Sequence, residues 1–453
     1  MITQEEKFIQ MTQNPIGRTI CKLAVPCIIS MLVTSFYNMA DTFFVGMMKS
    51  NAATGAVGVV YSMMAIIQAV GFFFGQGSGN YISRMLGKKH YEEAGNMAAT
   101  GFFSALGAGL LICVLGQIFL EPLAYLLGST DTILPHTKDY LRVILIGAPW
   151  MTASLVLNNQ LRFQGSAIYS MIGITTGAIL NIVLDPLLIF TCDLGVAGAG
   201  WATIISQFVS FLLLLIGCSK GSNIHISIKN VKITGFYMGQ ICRGGLPSLA
   251  RQSLASFATI CLNHAARVVG GDTVIAAMGV VQRIMMFGAS TMLGFGQGFQ
   301  PFCGFNYGAG LYSRVKKGFW FCVKGSFAFL LVVAVAVAWF APEIVSLFRD
   351  DTDVIKCGAA ALRFQCITFP MHSWIVMSMM MEQVMGKTIP ATFLSVARQG
   401  LFFIPAVLVL PMLFGITGIQ MSQMVADVLT MLCAVPVQVY ILRHLPRVDK
   451  MKP

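Results

Sequence analysis

Two acidic residues lie within apolar stretches of this chain. Asp41 follows residues 23–40, which contain no charged side chain, and Asp185 stands in the stretch LNIVLDPLLIF. About 20 apolar residues span the hydrocarbon core of a bilayer, where a carboxylate costs at least about 2.5 kcal/mol. A carboxyl group held there stays protonated until it meets a cation or water, and then releases its proton. This chemistry suits the coupled movement of protons and cations.

Polar, aromatic and proline residues accompany the two acids. Asn181 precedes Asp185 by one helical turn, so the two side chains share one face of a helix. Pro186 lacks a backbone N–H and clashes with the preceding turn, which predicts a kink or a loosened turn beside the acid. Tyr37 lies one turn before Asp41, which places an aromatic ring on the same side as that carboxylate.

The composition indicates which class of protein must position these acids. The chain has 453 residues, of which 56% are hydrophobic and 11% are charged, and its mean hydropathy is +0.75. Soluble domains carry about 25% charged residues, so an ordinary globular protein is excluded. The apolar runs are long and continuous, unlike the short alternating segments of a membrane β-barrel. We predict an all-α, polytopic protein of the cell membrane without a soluble catalytic domain.

Hydrophobic windows bounded by glycine, proline and charged residues delimit the membrane spans. Twelve spans are predicted, at residues 18–41, 54–82, 93–118, 136–160, 167–190, 196–217, 240–265, 274–302, 318–340, 357–381, 390–412 and 416–442. The most polar connection, KGSNIHISIKNVK, falls in the middle of the chain.

Basic residues concentrate on alternate connections between these spans. This set consists of Lys7, Arg18, Arg84, Lys88, Lys89, Arg162, Lys220, Lys229, Lys232, Arg314, Lys316, Lys317, Lys387, Arg443, Arg447, Lys450 and Lys452. The opposite connections hold little beyond Lys49, Arg267 and Arg349. By the positive-inside rule, both termini are predicted to be cytoplasmic. This distribution accounts for the net charge of +12 without a nucleic-acid partner.

The chain also repeats itself at an ungapped offset of 221 residues. The tetrapeptide FGQG occurs at residues 74–77 and again at residues 295–298, and the same offset pairs Pro26 with Pro247. Each half holds six spans, so both halves enter the membrane from the same side and are parallel repeats. We predict two homologous six-helix bundles, at residues 1–219 and 236–453, joined by a cytoplasmic linker at residues 220–235.

The repeat indicates that neither acid is needed for folding. Asp41 corresponds to Leu262 in the second half, and the counterpart of Asp185 falls near residues 405–406, which are Pro and Ala. The corresponding helices therefore fold without carboxylates, which favours a functional role for both acids. The basic residues within the predicted first-half spans, Arg18, Lys22, Lys138 and Arg142, all lie within seven residues of a span end, so neutralisation of the two acids by a neighbouring cation is disfavoured.

The second-half spans carry a different set of polar residues. They include Arg251, His264, Arg283, His372, Glu382, Arg398 and Asp427. For the three arginines there are two hypotheses, pairing with Glu382 or Asp427 as structural ties and direct contact with a substrate, and we favour the structural ties. We expect Glu382 and Asp427 to be structural or tuning residues. A single histidine in an apolar helix is usually a hydrogen-bonded core residue.

Five sequence segments together resemble a known family. They are NMADTFFVG, GQGSGNYISRMLG, LNIVLDPLLIF, GVAGAGWAT and GFGQGFQPFCGFNYGAG. In this order, over essentially the whole chain, they look like the multidrug and toxic compound extrusion (MATE) family. The resemblance implies antiport, in which ions enter down their gradient while amphipathic, often cationic compounds leave.

The resemblance also implies an ion-coupling site in the first half, formed by Asp41, Asn181, Asp185 and Thr203. We place substrate binding on Tyr37, Asn38, Asn158 and Gln207. The sodium-coupled branch of the family also uses acids in its seventh and tenth helices, which this chain lacks apart from Glu382 at the end of the tenth. The coupling ion is left open between H⁺ and Na⁺. We expect a monomer in the lipid bilayer that takes small organic cations and needs no cofactor.

Other functional classes find little support in the sequence. There is no HExxH or GxSxG motif, and the twelve cysteines form no CxxC pair, so an enzyme and a metal site are disfavoured. The segment MGKT ends like a phosphate-binding loop, but Met381 stands where the leading glycine is required. A flippase for lipid-linked precursors, which has a related helical architecture, remains the alternative.

Overall fold

The computed structural model describes residues 3–48 and 50–449. Lys49, Lys450 and Lys452, which entered the charge analysis, lie outside the described residues. The α-helices of the described part are α1 (Gln4–Thr12), α2 (Ile16–Met47), α3 (Asn51–Gly87), α4 (Tyr91–Ile118), α5 (Leu120–Leu126), α6 (Leu134–Phe163), α7 (Ala167–Pro186), α8 (Gly195–Ser219), α9 (Gly235–Gly308), α10 (Tyr312–Trp339), α11 (Ala341–Ser346), α12 (Thr352–Thr368), α13 (His372–Val384), α14 (Thr388–Val396), α15 (Phe403–Phe414) and α16 (Ile416–His444).

The correspondence between helices and membrane spans differs at three places. In α9 the backbone of Gly271 has φ 61° and ψ −150°, a conformation that favours glycine and divides this helix into two spans. A 3₁₀ turn at Phe369–Met371 joins α12 to α13, and a π-helical segment at Ala397–Leu401 joins α14 to α15. With α2, α3, α4, α6, α7, α8, α10 and α16, the described residues form twelve spans. The predicted all-α architecture of two six-helix halves is confirmed.

We call residues up to Ser219 the first half and residues from Gly235 the second half. The connection between them contains a short 3₁₀ helix at Ile228–Asn230. The side chain of Lys7 in α1 reaches this connection, because its Nζ donates to Asn223 Oδ1 at 2.8 Å. The exact limits that the sequence analysis assigned to the two bundles and the linker stay predictions.

The two halves meet where α2 and α3 pack against α9. At this contact the backbones approach so closely that a Cβ on Gly87 would overlap the Phe305 carbonyl, and a Cβ on Gly298 would overlap Ala24. Glycine is required there because no larger residue leaves room for the opposing backbone. Further along α2, Ser35 shares a hydrogen bond of 2.9 Å with Ser290 of α9. The backbones of the two halves therefore touch near the start of α2, near the end of α3 and near the end of α9.

Several basic residues that were assigned to connections lie within helices, among them Arg84 and Arg162. Both lie within helices, Arg84 in α3 and Arg162 in α6, and Arg162 is fully buried. Arg162 Nη2 donates to Asn159 Oδ1 at 2.7 Å and to Gln300 Oε1, in the second half, at 3.4 Å. Side-chain amides thus accept hydrogen bonds from Nη2 of the buried guanidinium, while its Nε has no partner among the described residues. These amides help α6 to continue beyond the end of its apolar window.

Candidate functional site

The packing of α2, α7 and α8 brings the four predicted ion-coupling residues together. Asn181 and Asp185 lie on α7, Thr203 lies on α8, and all three side chains are buried. Asp41 on α2 is close enough to Asp185 for the two carboxylates to interact electrostatically. We call these four residues the first-half cluster.

Asn181 connects the members of the first-half cluster on α7 and α8. Its amide orientation follows from its partners, because only one orientation satisfies both amide groups. In that orientation Asn181 Nδ2 donates to Asp185 Oδ2 at 3.2 Å, and its oxygen accepts from the Thr203 backbone N–H at 3.2 Å. The Thr203 hydroxyl donates to the Ala199 carbonyl at 3.0 Å. The amide thereby holds one oxygen of Asp185 in place.

The other carboxylate oxygens of the cluster are incompletely satisfied. Asp185 is fully buried, and its Oδ1 has no hydrogen-bond partner among the described residues. Asp41 is half-buried, and its buried Oδ1 is likewise without a partner there. A buried oxygen without a donor carries a large desolvation penalty if the group is charged. No ion pair within the described residues neutralises either acid. A proton or a small cation on these oxygens would remove the penalty.

Two tyrosines enclose this cluster. Tyr37 on α2 and Tyr140 on α6 are both buried, and both lie beside Thr203 and within electrostatic range of the two acids. The sequence analysis identified Tyr37 from its spacing to Asp41. It missed Tyr140, which lies on a different helix at no helical spacing from either acid. Aromatic walls with a polar tip suit a site that takes an organic cation.

The remaining predicted substrate residues lie at different depths. Gln207 is half-buried on α8, one turn from Thr203, and Asn38 is half-buried next to Tyr37. Asn158 on α6 accepts a hydrogen bond from Ser170 of α7. Since Ser170 precedes Asn181 by eleven residues, Asn158 lies about 16 Å along the α7 axis from the cluster. The structure therefore groups three of these residues near the acids and separates Asn158 from them.

A π-helical segment at Leu187–Thr191 follows directly after Pro186. The loosened turn expected beside Asp185 is thus present as a wide turn in which Cys192 N–H donates to the Leu187 carbonyl at 2.9 Å. Such segments occur frequently at functional sites. The helix that carries Asp185 has a local irregularity where it can change its packing.

A second buried acid, Asp427 on α16, has a full set of partners. Arg398 Nε donates to its Oδ1 at 2.9 Å, and Gln423 Nε2 donates to the same oxygen at 2.9 Å. Its Oδ2 accepts from Thr368 Oγ1 at 3.2 Å and lies 3.0 Å from His372 Nε2. The predicted tie between Arg398 and Asp427 and the hydrogen-bonded role of His372 are confirmed.

Glu382 differs from Asp427. It is fully buried on α13, and neither of its carboxylate oxygens has a hydrogen-bond partner among the described residues. The expected ties of Glu382 to Arg251 or Arg283 are not formed within the part of the chain that the structure describes. Of the three arginines, Arg398 is the one that forms a tie to an acid within the described residues.

The twelve spans, the repeated bundle and the acid cluster within one half define a helical membrane protein of the transporter class. The family model MatE matches residues 26–187 and again residues 247–409, which begin at the same 221-residue offset as the internal repeat. The chain belongs to the MatE family, and this double match confirms the resemblance noted in the sequence.

Relatives and solved structures agree with this assignment. The chain is 27% identical over 447 residues to the multidrug export protein MepA of Staphylococcus aureus, covering 98% of both proteins. It is 28% identical over 449 residues to MepA of Staphylococcus haemolyticus, covering 99% of this chain and 98% of that protein. The crystal structure of a MATE protein in the straight conformation superimposes with a TM-score of 0.91 at 25% identity, covering 97% of this chain and 99% of that one.

Proposed function

We propose that this protein exports amphipathic organic cations in exchange for protons, by alternating access. The observation that carries the proposal is the pair of incompletely satisfied carboxylates, Asp41 and Asp185, in the first half. Its family membership and the multidrug export function named for its MepA relatives support the substrate class.

The chemistry of the first-half cluster follows from charge. With both acids deprotonated, the enclosure of tyrosines and carboxylates attracts an organic cation and repels an anion. Two neighbouring carboxylates repel each other when both are charged, which favours uptake of a proton by one of them. Protonation removes the attraction for the cation, so proton and substrate compete for the same half. Reciprocity requires that bound substrate oppose protonation by an equal free energy.

The conformation supports a route for this exchange. With both termini cytoplasmic, as we propose from the basic connections, the tight contact at Gly87 and Gly298 closes the cytoplasmic side. In this scheme the first-half cluster exchanges protons and substrate with the outside while the cytoplasmic side is closed. The π-helical segment after Pro186 is the element that we assign to repacking when Asp185 changes charge.

The test is binding of ethidium, an organic cation, to the purified protein in uncharged detergent between pH 5 and pH 9. We expect affinity to fall as pH falls in the wild type and to vary little in Asp41→Asn/Asp185→Asn. Equal pH dependence in both proteins would place the proton site elsewhere.

Proteoliposomes with an imposed pH gradient or sodium gradient, in the absence of ATP, then identify the coupling ion. If ethidium efflux responds only to the sodium gradient, the coupling ion is Na⁺ and not the proton. Transfer of a lipid-linked pyrophosphate without ethidium efflux would instead support a flippase.

A further inference from the structure

The guanidinium of Arg251 lies within a membrane span and has no hydrogen-bond or ion-pair partner among the described residues. It lies on the first span of α9, is half-buried, and forms no hydrogen bond or ion pair with any other residue that the structure describes. An arginine offers five N–H donors and keeps its charge at every accessible pH. Such a charge within a bilayer is costly, and in membrane proteins it usually faces a polar cavity.

Its neighbours on α9 show which way Arg251 faces. Ser248, three residues before it, accepts a hydrogen bond of 2.9 Å from Gln383 Nε2 of α13. Leu254, three residues after it, packs against Gly400 in the π-helical segment between α14 and α15. Residues three apart lie on the same side of a helix, so Arg251 faces the interior of the second half.

The charges around Arg251 are predominantly positive. It interacts electrostatically with Arg398 and with Arg162. The charge of Arg398 is balanced by Asp427, and Arg162 is held by neutral amides. Among the described residues, no carboxylate pairs with Arg251. Glu382 is the other buried acid of the second half, and it forms no ion pair with Arg251. Arg251 therefore places an unpaired positive charge in the second half, opposite in sign to the acid cluster of the first half.

The repeat indicates that the fold does not need this charge. Arg251 corresponds to Ser30 in the first half, on the helix that also carries Asp41. The same structural element thus supplies a carboxylate to one half and an unpaired guanidinium to the other. An added charge without a structural partner is expected to meet a ligand of opposite sign.

We propose that Arg251 is the binding site for an oxyanion, carboxylate or phosphate, carried by an amphiphilic molecule. A guanidinium binds such groups through two parallel hydrogen bonds, which a point charge cannot reproduce. Resting on the proposed export of small molecules, this site adds zwitterionic amphiphiles to the substrate class. The cationic end of such a molecule lies toward the first-half cluster, and its oxyanion lies at Arg251.

The test uses two probes of similar shape, 4-(1-pyrenyl)butyrate and 1-pyrenebutanol, on the full-length protein in uncharged detergent. Arg251→Gln should weaken pyrenylbutyrate binding about tenfold, the worth of a lost charge-assisted hydrogen bond, and leave pyrenebutanol binding unchanged. The pyrenylbutyrate affinity of Arg251→Lys should lie between those of the wild type and Arg251→Gln, because lysine keeps the charge but lacks the planar guanidinium. Arg267→Gln, which removes an exposed charge from the same span of α9, is the control and should bind both probes normally.

A second arm identifies the source of the oxyanion. Addition of phosphatidylglycerol, but not phosphatidylcholine, should raise the melting temperature of the wild type and not of Arg251→Gln if a lipid headgroup occupies the site. Pyrenylbutyrate binding that depends on Arg251 without this lipid effect assigns the site to a soluble amphiphile. Two results would overturn the site. One is that Arg251→Gln changes the binding of both pyrene probes alike, and the other is that neither pyrenylbutyrate binding nor the effect of phosphatidylglycerol depends on Arg251. Ethidium binding in the same variants tests the acid cluster separately, so failure of one proposal is distinguishable from failure of the other.

Discussion

Arg398 Nε donates to Asp427 Oδ1 at 2.9 Å, and this contact distinguishes Asp427 from the two acids of the first half. Asp427 has a donor on each carboxylate oxygen and a cation beside it. Asp41 and Asp185 each keep a buried oxygen without a partner among the described residues. Asp427 is thus stabilised as a fixed charge, whereas Asp41 and Asp185, like Glu382 of the second half, hold buried oxygens that no described residue stabilises.

Removing one partner of the Arg398–Asp427 pair should destabilise the protein. Arg398→Ala leaves a buried carboxylate without its cation, which costs about 3 kcal/mol, the low end for such pairs because Arg398 is 25% exposed. The measurement is thermal unfolding in detergent. The double variant Arg398→Met/Asp427→Leu should recover most of the loss, since it removes both charges. A double variant as unstable as Arg398→Ala would show that the pair is not the source of the effect.

Asp41→Asn and Asp185→Asn should impair transport and leave stability nearly unchanged, the opposite of what we expect for Arg398→Ala. Each should abolish coupled ethidium efflux from proteoliposomes while shifting the melting temperature by no more than about 2 °C, because neither acid has a cationic partner to lose. Asp350→Asn, at an exposed residue between α11 and α12, is the matched control and should transport normally. Wild-type efflux in either cluster variant would remove these acids from the coupling mechanism.

The membrane spans were predictable from the sequence because hydropathy and helix-breaking residues are local properties of the chain. The repeat and the positions of Asp41 and Asp185 followed for the same reason. Asn181 was assigned correctly to the face of Asp185 because one helical turn separates them. All these features depend on spacing within one helix.

Contacts between helices were less accessible to sequence reasoning. Tyr140 joins the site only because α6 packs with this side chain toward Thr203. No spacing along the chain indicates which face of α6 lies against α8. Arg162 was placed in a loop because an unpaired charge predicts a water-exposed end. Its partners Asn159 and Gln300 come from both halves, so their effect emerges only after the halves pack.

Lys7 should make stability depend on pH in the alkaline range. Burial lowers the pKa of Lys7 from 10.5 to about 8 in the folded protein, where its Nζ donates to Ser166 and Asn223. Between these values the unfolded chain binds more protons than the folded one, so stability rises as pH increases from about 8 to 10.5. Below pH 8 both states are protonated and this contribution is constant.

The measurement for Lys7 is the difference in melting temperature between wild type and Lys7→Gln from pH 7 to pH 10. The wild type should gain stability relative to the variant as pH rises above 8. Lys317→Gln, at an exposed lysine of α10, is the control and should track the wild type at every pH. A difference that stays constant across the range, or falls, would contradict the linkage.

Gly298→Val should open the contact between the halves. A side chain at this position overlaps Ala24 of α2, and overpacking of this kind costs about 1–3 kcal/mol in the closed state alone. The closed population should therefore fall, and the fully buried Cys303, which lies near Arg84 of α3, should become accessible. We expect its alkylation by a maleimide, followed by peptide mass spectrometry, to accelerate roughly tenfold, as a shift of about 1.4 kcal/mol requires. Gly325→Val on α10, where a Cβ meets nothing within 4 Å, is the control; equal alkylation rates in the two variants would show that Gly298 does not hold this side closed.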